Sequence, residues 1–280
     1  MIQPILRDEA LLEDVRATRQ AAGDALHLWW LGQSGFLVVH GGACLLLDPY
    51  LSDSLTKKYA LTDKPHVRMT ERVVAPEKLD FIDVVTSSHN HTDHLDAETL
   101  LPLRAANPGL RMIIPEANRA FVAERLGTDP AWPVGLDDGE SAQCAGFEFS
   151  AVPSAHETVE RDEYGRCRFL GYIVRVGRWS IYHSGDTMLY NGMAERLRSS
   201  ALDLVLLPIN GARPERRVAG NLDGREAARL AHEAGARLVV PCHYEMFEFN
   251  TAAPDEFIAE AKRIGQPYRV LRAGQRLDLS

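Results

Sequence analysis

Cysteine is scarce in this chain, which has four cysteines among its 280 residues. No two of them show the CxxC spacing of a redox or zinc motif, so a disulfide framework is not expected. Scattered thiols in a chain of this length are typical of a reducing compartment. The sequence therefore predicts a cytoplasmic protein whose cysteines are small buried residues.

Long apolar runs and an excess of positive charge are also missing. No apolar run approaches the roughly 18–20 residues that a membrane-spanning helix requires, and residues 1–9 lack the positive segment of a secretory signal. The 39 acidic residues outnumber the 31 basic ones, which gives a net charge of −8. Nucleic-acid binding needs a basic face to replace counterions, so a nucleic acid is not expected as a partner. The lack of long apolar runs likewise means that a membrane is not expected.

Apolar residues are plentiful in short runs. They make up 45% of the chain, which is enough for a full core at this length. No repeat, low-complexity tract or linker divides the chain. We predict one domain over residues 1–280, built from two similar layers, with an amphipathic N-terminal helix within residues 1–20 laid against it.

Short strands alternate with helices along most of the chain. The predicted strands are 26–31, 36–39, 44–47, 81–85, 112–114, 147–152, 169–176, 179–183, 204–207, 238–240 and 268–270. The predicted helices are 5–19, 96–106, 116–126, 193–199, 224–234 and 254–264. This alternation predicts an α/β chain of the α+β type that opens with a β-meander and later builds a second β layer.

Residues 50–79 show neither a helical nor a strand period. A loop of about thirty residues inside a compact domain is usually functional or mobile. We predict that this segment is a lid over a functional site, with a plain surface excursion as the alternative.

Residues His89 to His94 are the part of the chain richest in metal-binding side chains. They read HNHTDH and directly follow an apolar predicted strand. If the chain stays extended through the first pair, His89 and His91 point to the same side because strand side chains alternate. Asp93 and His94 follow across a turn, and Asp96 is placed to cap the next helix. The offset between the two pairs suits two neighbouring ions.

Three further candidate ligands follow later apolar runs by a few residues. They are His156, Asp186 and His243. Groups at the ends of several strands converge on one edge of a sheet, so these three can complete a two-metal site. The combined set of imidazoles and carboxylates suits zinc, manganese or iron. Asp48, at the end of another apolar run, either caps a turn or braces the metal loop.

The string HNHTDH, with GDT at residues 185–187 and a late strand-end histidine, resembles the metallo-β-lactamase-fold hydrolases over nearly the whole chain. This resemblance implies a four-layer αββα sandwich with a dinuclear centre at one edge. It also implies that one ion is held by His89, His91 and His156, that the other is held by Asp93, His94 and His243, and that Asp186 bridges the two.

Three longer strings resemble one branch of that superfamily. WWLGQSGF, YHSGDT and the run from PINGARPERR to PCHYEMF are similar to the branch that contains the L-ascorbate-6-phosphate lactonases. This similarity implies a cytosolic, metal-dependent homo-oligomer. His156 matches the seven-ligand pattern of ribonuclease Z-like and phosphodiesterase members, so a phosphodiesterase is the alternative function.

The expected chemistry is hydrolysis by a hydroxide bound to two divalent ions, zinc or manganese. Two such ions lower the pKa of a shared water and polarise the scissile group. Asp93 or Asp186 is expected to orient the hydroxide or accept its proton. The sequence predicts a lactonase that acts on a sugar-derived lactone, with or without a phosphate group. The alternatives are a phosphodiesterase and a non-catalytic metal sensor or scaffold.

A small anionic substrate is expected, because arginines occur in a Gly/Pro-containing loop between the predicted strand 204–207 and the predicted helix 224–234. Arginine forks match phosphate and carboxylate geometry, although loop arginines can also be merely solvated. The predicted substrate-binding residues are Arg213, Arg216, His66, Arg68 and, three residues before Asp186, His183.

Overall fold

The computed structural model describes residues 1–21 and 23–280. Its helices are α1 Asp8–Gln20, α2 Ser54–Tyr59, α3 Ala97–Ala106, α4 Arg119–Leu126, α5 Met193–Arg198, α6 Gly224–Glu233 and α7 Asp255–Ile264. Its strands are β1 Leu26–Gly32, β2 Gly35–His40, β3 Ala43–Leu47, β4 Val84–Thr86, β5 Arg111–Pro115, β6 Val134–Leu136, β7 Ser141–Cys144, β8 Phe147–Pro153, β9 Leu170–Val176, β10 Trp179–His183, β11 Leu204–Pro208, β12 Val239–Cys242 and β13 Arg276–Leu279.

The strands form two mixed sheets. The first has the order β13-β1-β2-β3-β4-β5-β6 and the second the order β12-β11-β10-β9-β8-β7. In the first sheet β1, β2 and β3 form an antiparallel meander, and β3 to β6 run parallel. In the second sheet β7 to β10 are antiparallel and β10 to β12 are parallel. Strands β8, β10 and β12 therefore all end at the same edge.

Alternation along β1 determines what each face of the first sheet covers. Leu28 and Trp30 belong to the core shared with the second sheet, which includes Phe149 from β8. The intervening Trp29 packs in a separate core with Leu11 of α1. Successive strand side chains point to opposite faces, so one strand serves both cores. Helices α1, α3 and α4 cover the first sheet, α5 to α7 cover the second, and the expected αββα sandwich is confirmed.

The predicted helices and most of the predicted strands are present. The strand predicted at 268–270 is wrong, because Tyr268 makes only an isolated bridge with Val239. Strands β6, β7 and β13 and helix α2 were not predicted. The backbone of residues 88–95 consists of bends and turns and is not extended, contrary to the expectation for the first histidine pair.

Residues 50–79 are more structured than a plain loop. They carry α2 and a 3₁₀ turn at Pro76–Lys78, and Arg68 forms a bridge with Phe247. Tyr50 and Leu55 pack with Met246 and Phe247 in a small third cluster. The segment therefore joins the loop that follows β12, and lid motion stays a prediction.

Candidate metal centre

The donors of the centre come from the ends of strands in both sheets. His89 follows β4, His156 follows β8, Asp186 follows β10 and His243 follows β12. The strand cores are apolar and rigid, whereas the polar groups lie just beyond them, where the chain leaves the sheet. The two sheets therefore bring to one edge side chains that are up to 154 positions apart, from residue 89 to residue 243.

Two groups of donors meet at this edge, and they share Asp186. In the first, donor atoms of His89, His91, His156 and Asp186 all lie within 4.8 Å of one another. In the second, the same limit holds for donor atoms of Asp93, His94, Asp186 and His243. Asp48, His89 and His94 form a third group within the same limit, so the assignment of separate ligand sets to two ions stays a prediction.

Donor atoms in these groups are buried and make few hydrogen bonds. His94 Nε2 and Asp186 Oδ1 form an ion pair at 3.2 Å, whereas the buried His89 Nε2 makes no hydrogen bond within the described chain. Leaving such atoms unpaired costs free energy, because they have lost water without a replacement. Divalent cations fit this donor set, since imidazole and carboxylate together suit zinc, manganese and iron.

The charges in the centre act strongly on one another. Burial lowers the pKa of His94, but the Asp186 and Asp93 carboxylates overcome it and raise that pKa well above its usual value. The same balance, led by burial and then by Asp186, raises the pKa of His243 to about 9. Burial raises the pKa of Asp186, yet the charges of His243 and His94 hold it well below its usual value. Metal binding would displace the protons that His94 and His243 otherwise retain.

The first histidine group is less basic. Burial, reinforced by the charges of His94 and His91, lowers the pKa of His89 well below its usual value. Burial likewise lowers the pKa of His91, although Asp93 opposes it. A neutral imidazole is the form that binds a metal ion. The lowered pKa values keep His89 and His91 in that form.

Asp48 resolves the alternative that the sequence left open. Its carboxylate is fully buried and accepts hydrogen bonds from the Thr86 hydroxyl at 2.7 Å, from the Ser88 backbone N–H at 3.1 Å and from the Ser88 hydroxyl. His94 Nδ1 lies 2.7 Å from Asp48 Oδ2, which directs His94 Nε2 toward the centre. Asp48 therefore braces the metal loop, in the manner typical of groups behind a metal ligand.

His156 is oriented from outside the centre in the same way. His156 Nδ1 lies 2.9 Å from the carbonyl oxygen of Gly220, so the ring presents Nε2 to the other donors. Gly185 lets the two sheets approach, because a Cβ there would lie 2.4 Å from the Ser88 side chain. Its φ of +59° also favours glycine.

Gln33 is a residue of the centre that the sequence analysis missed. Its Nε2 lies 2.8 Å from Asp93 Oδ2 and 3.0 Å from His243 Nε2, and its Oε1 is buried without a hydrogen bond in the described chain. Its backbone carbonyl accepts from the His243 N–H, and its φ is +51°. A non-glycine residue held in that region is often functional. The available signal was the turn inside WWLGQSGF.

The centre forms the floor of a cavity of about 320 Å³. The donors His91, Asp93, His156, Asp186 and His243 line it together with Leu55, Lys58, Tyr59, His66, Arg125, Val218, Phe247, Phe249 and several polar residues. Burial lowers the pKa of His66, against smaller opposite effects of the Lys64 carbonyl and Asp93. His66 is thus the one predicted substrate-binding residue that lies on the cavity wall.

The other predicted substrate-binding residues do not line this cavity in the part of the chain that the structure describes. Arg216 is buried and donates to the carbonyl oxygens of Asn210 and Thr251. Arg68 pairs with Asp53, with Arg68 Nε 2.8 Å from Asp53 Oδ1. Arg213 lies beside a separate cavity under α6.

His183 is fully buried behind the centre. Its Nε2 lies 3.0 Å from the carbonyl oxygen of Ser34, and its ring meets Phe36 edge-on. Burial lowers the pKa of His183, although the charge of Asp48 opposes it. These contacts are those of a core histidine that supports the strand ends.

Comparison with known proteins agrees with this geometry. Residues 44–244 match the beta-lactamase superfamily domain. A UPF0173 metal-dependent hydrolase from Opitutus terrae is 27% identical over 259 residues, which cover 91% of this chain and 100% of the relative. Two solved structures show the same fold at low identity.

One of them is Igni18, a metallo hydrolase from Ignicoccus hospitalis, with 22% identity, a TM-score of 0.67 and coverage of 91% of this chain and 99% of that chain. The other is an isothiocyanate hydrolase from Delia radicum gut bacteria, with 18% identity, a TM-score of 0.70 and coverage of 90% and 98%.

The fold and the histidine–carboxylate centre define a metal-dependent hydrolase with the metallo-β-lactamase fold. The chain belongs to the beta-lactamase superfamily, whose domain covers more than half of it. Among the described residues, every helix is too short or too polar to cross a membrane.

Proposed function

We propose that this hydrolase opens a small lactone that carries one negatively charged group. The observation that carries the proposal is the composition of the cavity, in which the donors of the centre share the lining with the apolar side chains of Leu55, Val218, Phe247 and Phe249. Of the two basic side chains in the lining, Arg125 donates to backbone carbonyls, whereas the recorded contact of the Lys58 ammonium in the described chain is with the Tyr59 ring, 5.1 Å from its centroid. Such a lining suits a neutral carbonyl ester better than a phosphodiester, whose one negative charge would lose water there.

Water is the proposed nucleophile. The cavity is lined by neither serine nor cysteine among the described residues, so a covalent route through those side chains has no starting point. Two divalent ions held by His89, His91 and His156 and by Asp93, His94 and His243, with Asp186 shared, would lower the pKa of a water and polarise the carbonyl. Zinc and manganese are the proposed ions.

The carboxylates handle the proton. Water adds to the lactone carbonyl carbon, the ring C–O bond breaks, and the ring oxygen leaves as an alcohol, which yields a hydroxy acid. Asp93 lies on the cavity wall and is held by Gln33, so it is the proposed acceptor of the proton lost by the water. Asp186 is buried between the two donor groups and is proposed to orient that water.

Lys58 takes the role that the sequence analysis gave to arginines. Arg216 and Arg68 are engaged elsewhere, whereas the Lys58 ammonium is exposed at the cavity wall. A single ammonium suits one carboxylate or a similar monoanion. A sugar-derived lactone with one negative charge belongs to this class.

One observation favours a phosphodiesterase as the second candidate. Arg125 also lines the cavity, so two cations face its interior. However, the Arg125 guanidinium donates to the carbonyl oxygens of Asn90 at 2.6 Å and Leu95 at 3.3 Å, which occupies part of its donor set.

A substrate screen with the purified protein distinguishes the lactonase from the phosphodiesterase and from a metal sensor. Elemental analysis gives the metal content, and the same preparation is tested with a panel of lactones and with a bis-aryl phosphate. We expect lactone turnover that is lost on chelation and in His91→Ala, and kept in His232→Ala, a surface histidine of α6. Bound metal with no turnover of any ester would instead indicate a sensor, and faster cleavage of the phosphate would indicate the diesterase.

We further propose a cytoplasmic homo-oligomer. All four cysteines are free and buried, which fits a reducing compartment. The resemblance to the lactonase branch supports oligomerisation, and light scattering on the purified protein measures it.

A further inference from the structure

Part of the wall of the cavity is built from aromatic rings. Tyr59 and His66 are stacked, with ring centroids 4.2 Å apart and an interplanar angle of 17°. Phe249 lies 4.4 Å and Phe247 lies 5.2 Å from the His66 ring, measured between centroids. We call these four residues the aromatic wall. Its members come from two chain segments, 59–66 and 247–249, that pack against each other.

The aromatic wall belongs to the same space as the metal donors. All four rings line the cavity that also contains His91, Asp93 and His243. Leu55, buried at the base of α2, and Val218, which is 37% exposed, extend the apolar surface. These apolar residues are therefore placed to contact the part of a bound substrate that does not react.

From this arrangement we propose that the substrate is a lactone bearing a flat apolar substituent, such as an aryl ring, which binds against the aromatic wall. The inference rests on the proposed lactonase function and specifies its substrate class. Aromatic rings attract a further ring in offset or edge-on arrangements, beyond the burial of apolar area.

The size of the cavity agrees with such a substrate. An apolar cavity of about 150 Å³ holds benzene, and this cavity measures about 320 Å³. It therefore has room for an aryl ring together with a small lactone ring. A polyhydroxylated, sugar-derived substituent meets the charge requirement of the proposed function but fits this part of the wall less well, because its hydroxyls would lose water against Phe249 and Val218.

His66 contributes a ring without a positive charge. It is half-buried, and burial, the largest effect, lowers its pKa despite the Lys64 carbonyl and Asp93. A neutral imidazole stacked on Tyr59 acts as part of an apolar surface. The Lys58 ammonium, 5.1 Å from the Tyr59 ring centroid, lies at the edge of the aromatic wall, where a charged group on the substituent would meet it.

Matched substrates and variants test the proposal on the full metal-loaded chain. The substrates are γ-butyrolactone, its phenyl-substituted form and a polyhydroxylated γ-lactone, which share the reactive ring. We expect a KM for the phenyl form about tenfold below that of the other two, because apolar pockets discriminate by at least that factor per group buried. Phe249→Ala should remove this advantage, so that the KM of the phenyl form rises to that of γ-butyrolactone measured with the same variant.

Two controls keep the outcome specific. Phe249→Leu retains apolar volume and should keep most of the preference, whereas Tyr164→Ala removes an exposed ring remote from the cavity and should change nothing. Equal KM values for all three lactones, or a preference unaffected by Phe249→Ala, would overturn the inference while the lactonase proposal stood.

A binding measurement separates failure of the inference from failure of the proposed function. Calorimetry with a phenyl-substituted γ-lactam, which resists hydrolysis, should show binding about tenfold tighter than with the unsubstituted lactam, and Phe249→Ala should abolish the difference. If no lactone were hydrolysed, the lactonase proposal would fail, and the lactam result alone would then uphold or overturn the aromatic subsite.

Discussion

Asp48 lies behind the metal centre without being one of its predicted seven ligands. Burial raises the pKa of its carboxyl, but the His94 hydrogen bond and the charges of His183 and His94 hold that pKa below its usual value. The carboxylate thus stays ionised while it fixes the Nδ1 side of His94. At the residue scale, the centre depends on such side chains as much as on its ligands.

Gln33 is a further side chain outside the predicted ligand set, and it contacts donors of the second group. Its amide touches both Asp93 and His243. Gln33→Ala should change the metal affinity of the group of Asp93, His94, Asp186 and His243, because the amide nitrogen contacts Asp93 Oδ2 and His243 Nε2, which are themselves candidate ligand atoms. Elemental analysis after dialysis against graded metal concentrations would show whether the metal content differs from that of the unchanged protein. Gln143→Ala on β7 is the control, and unchanged metal content in Gln33→Ala would contradict the role of the amide.

Gly185 is expected to be sensitive to a single added methyl group. Gly185→Ala places a Cβ 2.4 Å from the Ser88 side chain at a φ of +59°. We expect a loss of about 1–3 kcal/mol in the free energy of unfolding from backbone strain alone, with a further loss from the clash. Urea denaturation at pH 7 measures it.

Gly139→Ala provides the matched control for Gly185→Ala. Its φ is +78°, but a Cβ there has nothing within 4 Å. The difference between the two variants therefore isolates the close approach of Gly185 to Ser88. Equal losses would mean that this approach has no energetic importance.

At the scale of elements, the parallel strands explain why the donors meet. Strands β10 and β12 run in the same direction through β11, so Asp186 and His243 emerge at one edge. Helices α6 and α7 support these strands from outside. They approach closely at Gly224, where a Cβ would lie 2.7 Å from the backbone nitrogen of Phe257.

Glu260 joins α6 and α7 by accepting from Arg229 and Arg263. The Arg263 and Arg229 hydrogen bonds lower the pKa of Glu260 to about 2. Since an unfolded glutamate titrates near pH 4.3, this carboxylate stabilises the fold above that pH, and the contribution is lost as the pH falls toward 2. Glu260→Gln should therefore lower the urea midpoint at pH 7 and have progressively less effect below pH 4.

Glu256→Gln is the control for Glu260→Gln. Glu256 also pairs across the two helices, with Arg225, but both side chains are largely exposed. Exposed pairs contribute little, so its midpoint should barely move. A Glu260→Gln effect that is the same at pH 7 and pH 3 would show that the carboxylate charge is not the cause.

At the scale of the whole molecule, the metal centre joins both sheets. Its donors follow β4 of the first sheet and β8, β10 and β12 of the second. Buried carboxylates and imidazoles share this edge, and His89 Nε2 makes no hydrogen bond within the described chain. Ligands that bind only the folded state stabilise it, by about 2.7 kcal/mol at a hundredfold excess over Kd.

Metal removal should consequently lower the thermal midpoint of the whole chain. Calorimetry with a chelator, followed by titration with zinc or manganese, should show a midpoint that falls and then rises with metal concentration. In His91→Ala the rise should be smaller, because one donor group is incomplete. Identical midpoints with and without chelator would show that the centre contributes nothing to folding.

Much of the fold could be predicted because local patterns agree with it. The apolar strands from residue 26 onward and the helices of both outer layers follow the periods of their side chains. Strand β13 was missed because Arg276 and Asp278 make it polar, and it is a strand only by pairing with β1. The strand predicted at 268–270 has a suitable composition but lies beside β12 at a single bridge.

The sequence by itself determined the kind of centre, because His89 to His94 and three strand-end donors carry their chemistry in residue type and position. Only the tertiary structure decided what surrounds it. The guanidinium of Arg216 turns inward to backbone carbonyls, whereas Tyr59 and Phe249, 190 positions apart, come together on the cavity wall. The direction of a loop side chain depends on which segments pack beside it, and that packing is set by the whole fold and not by local spacing.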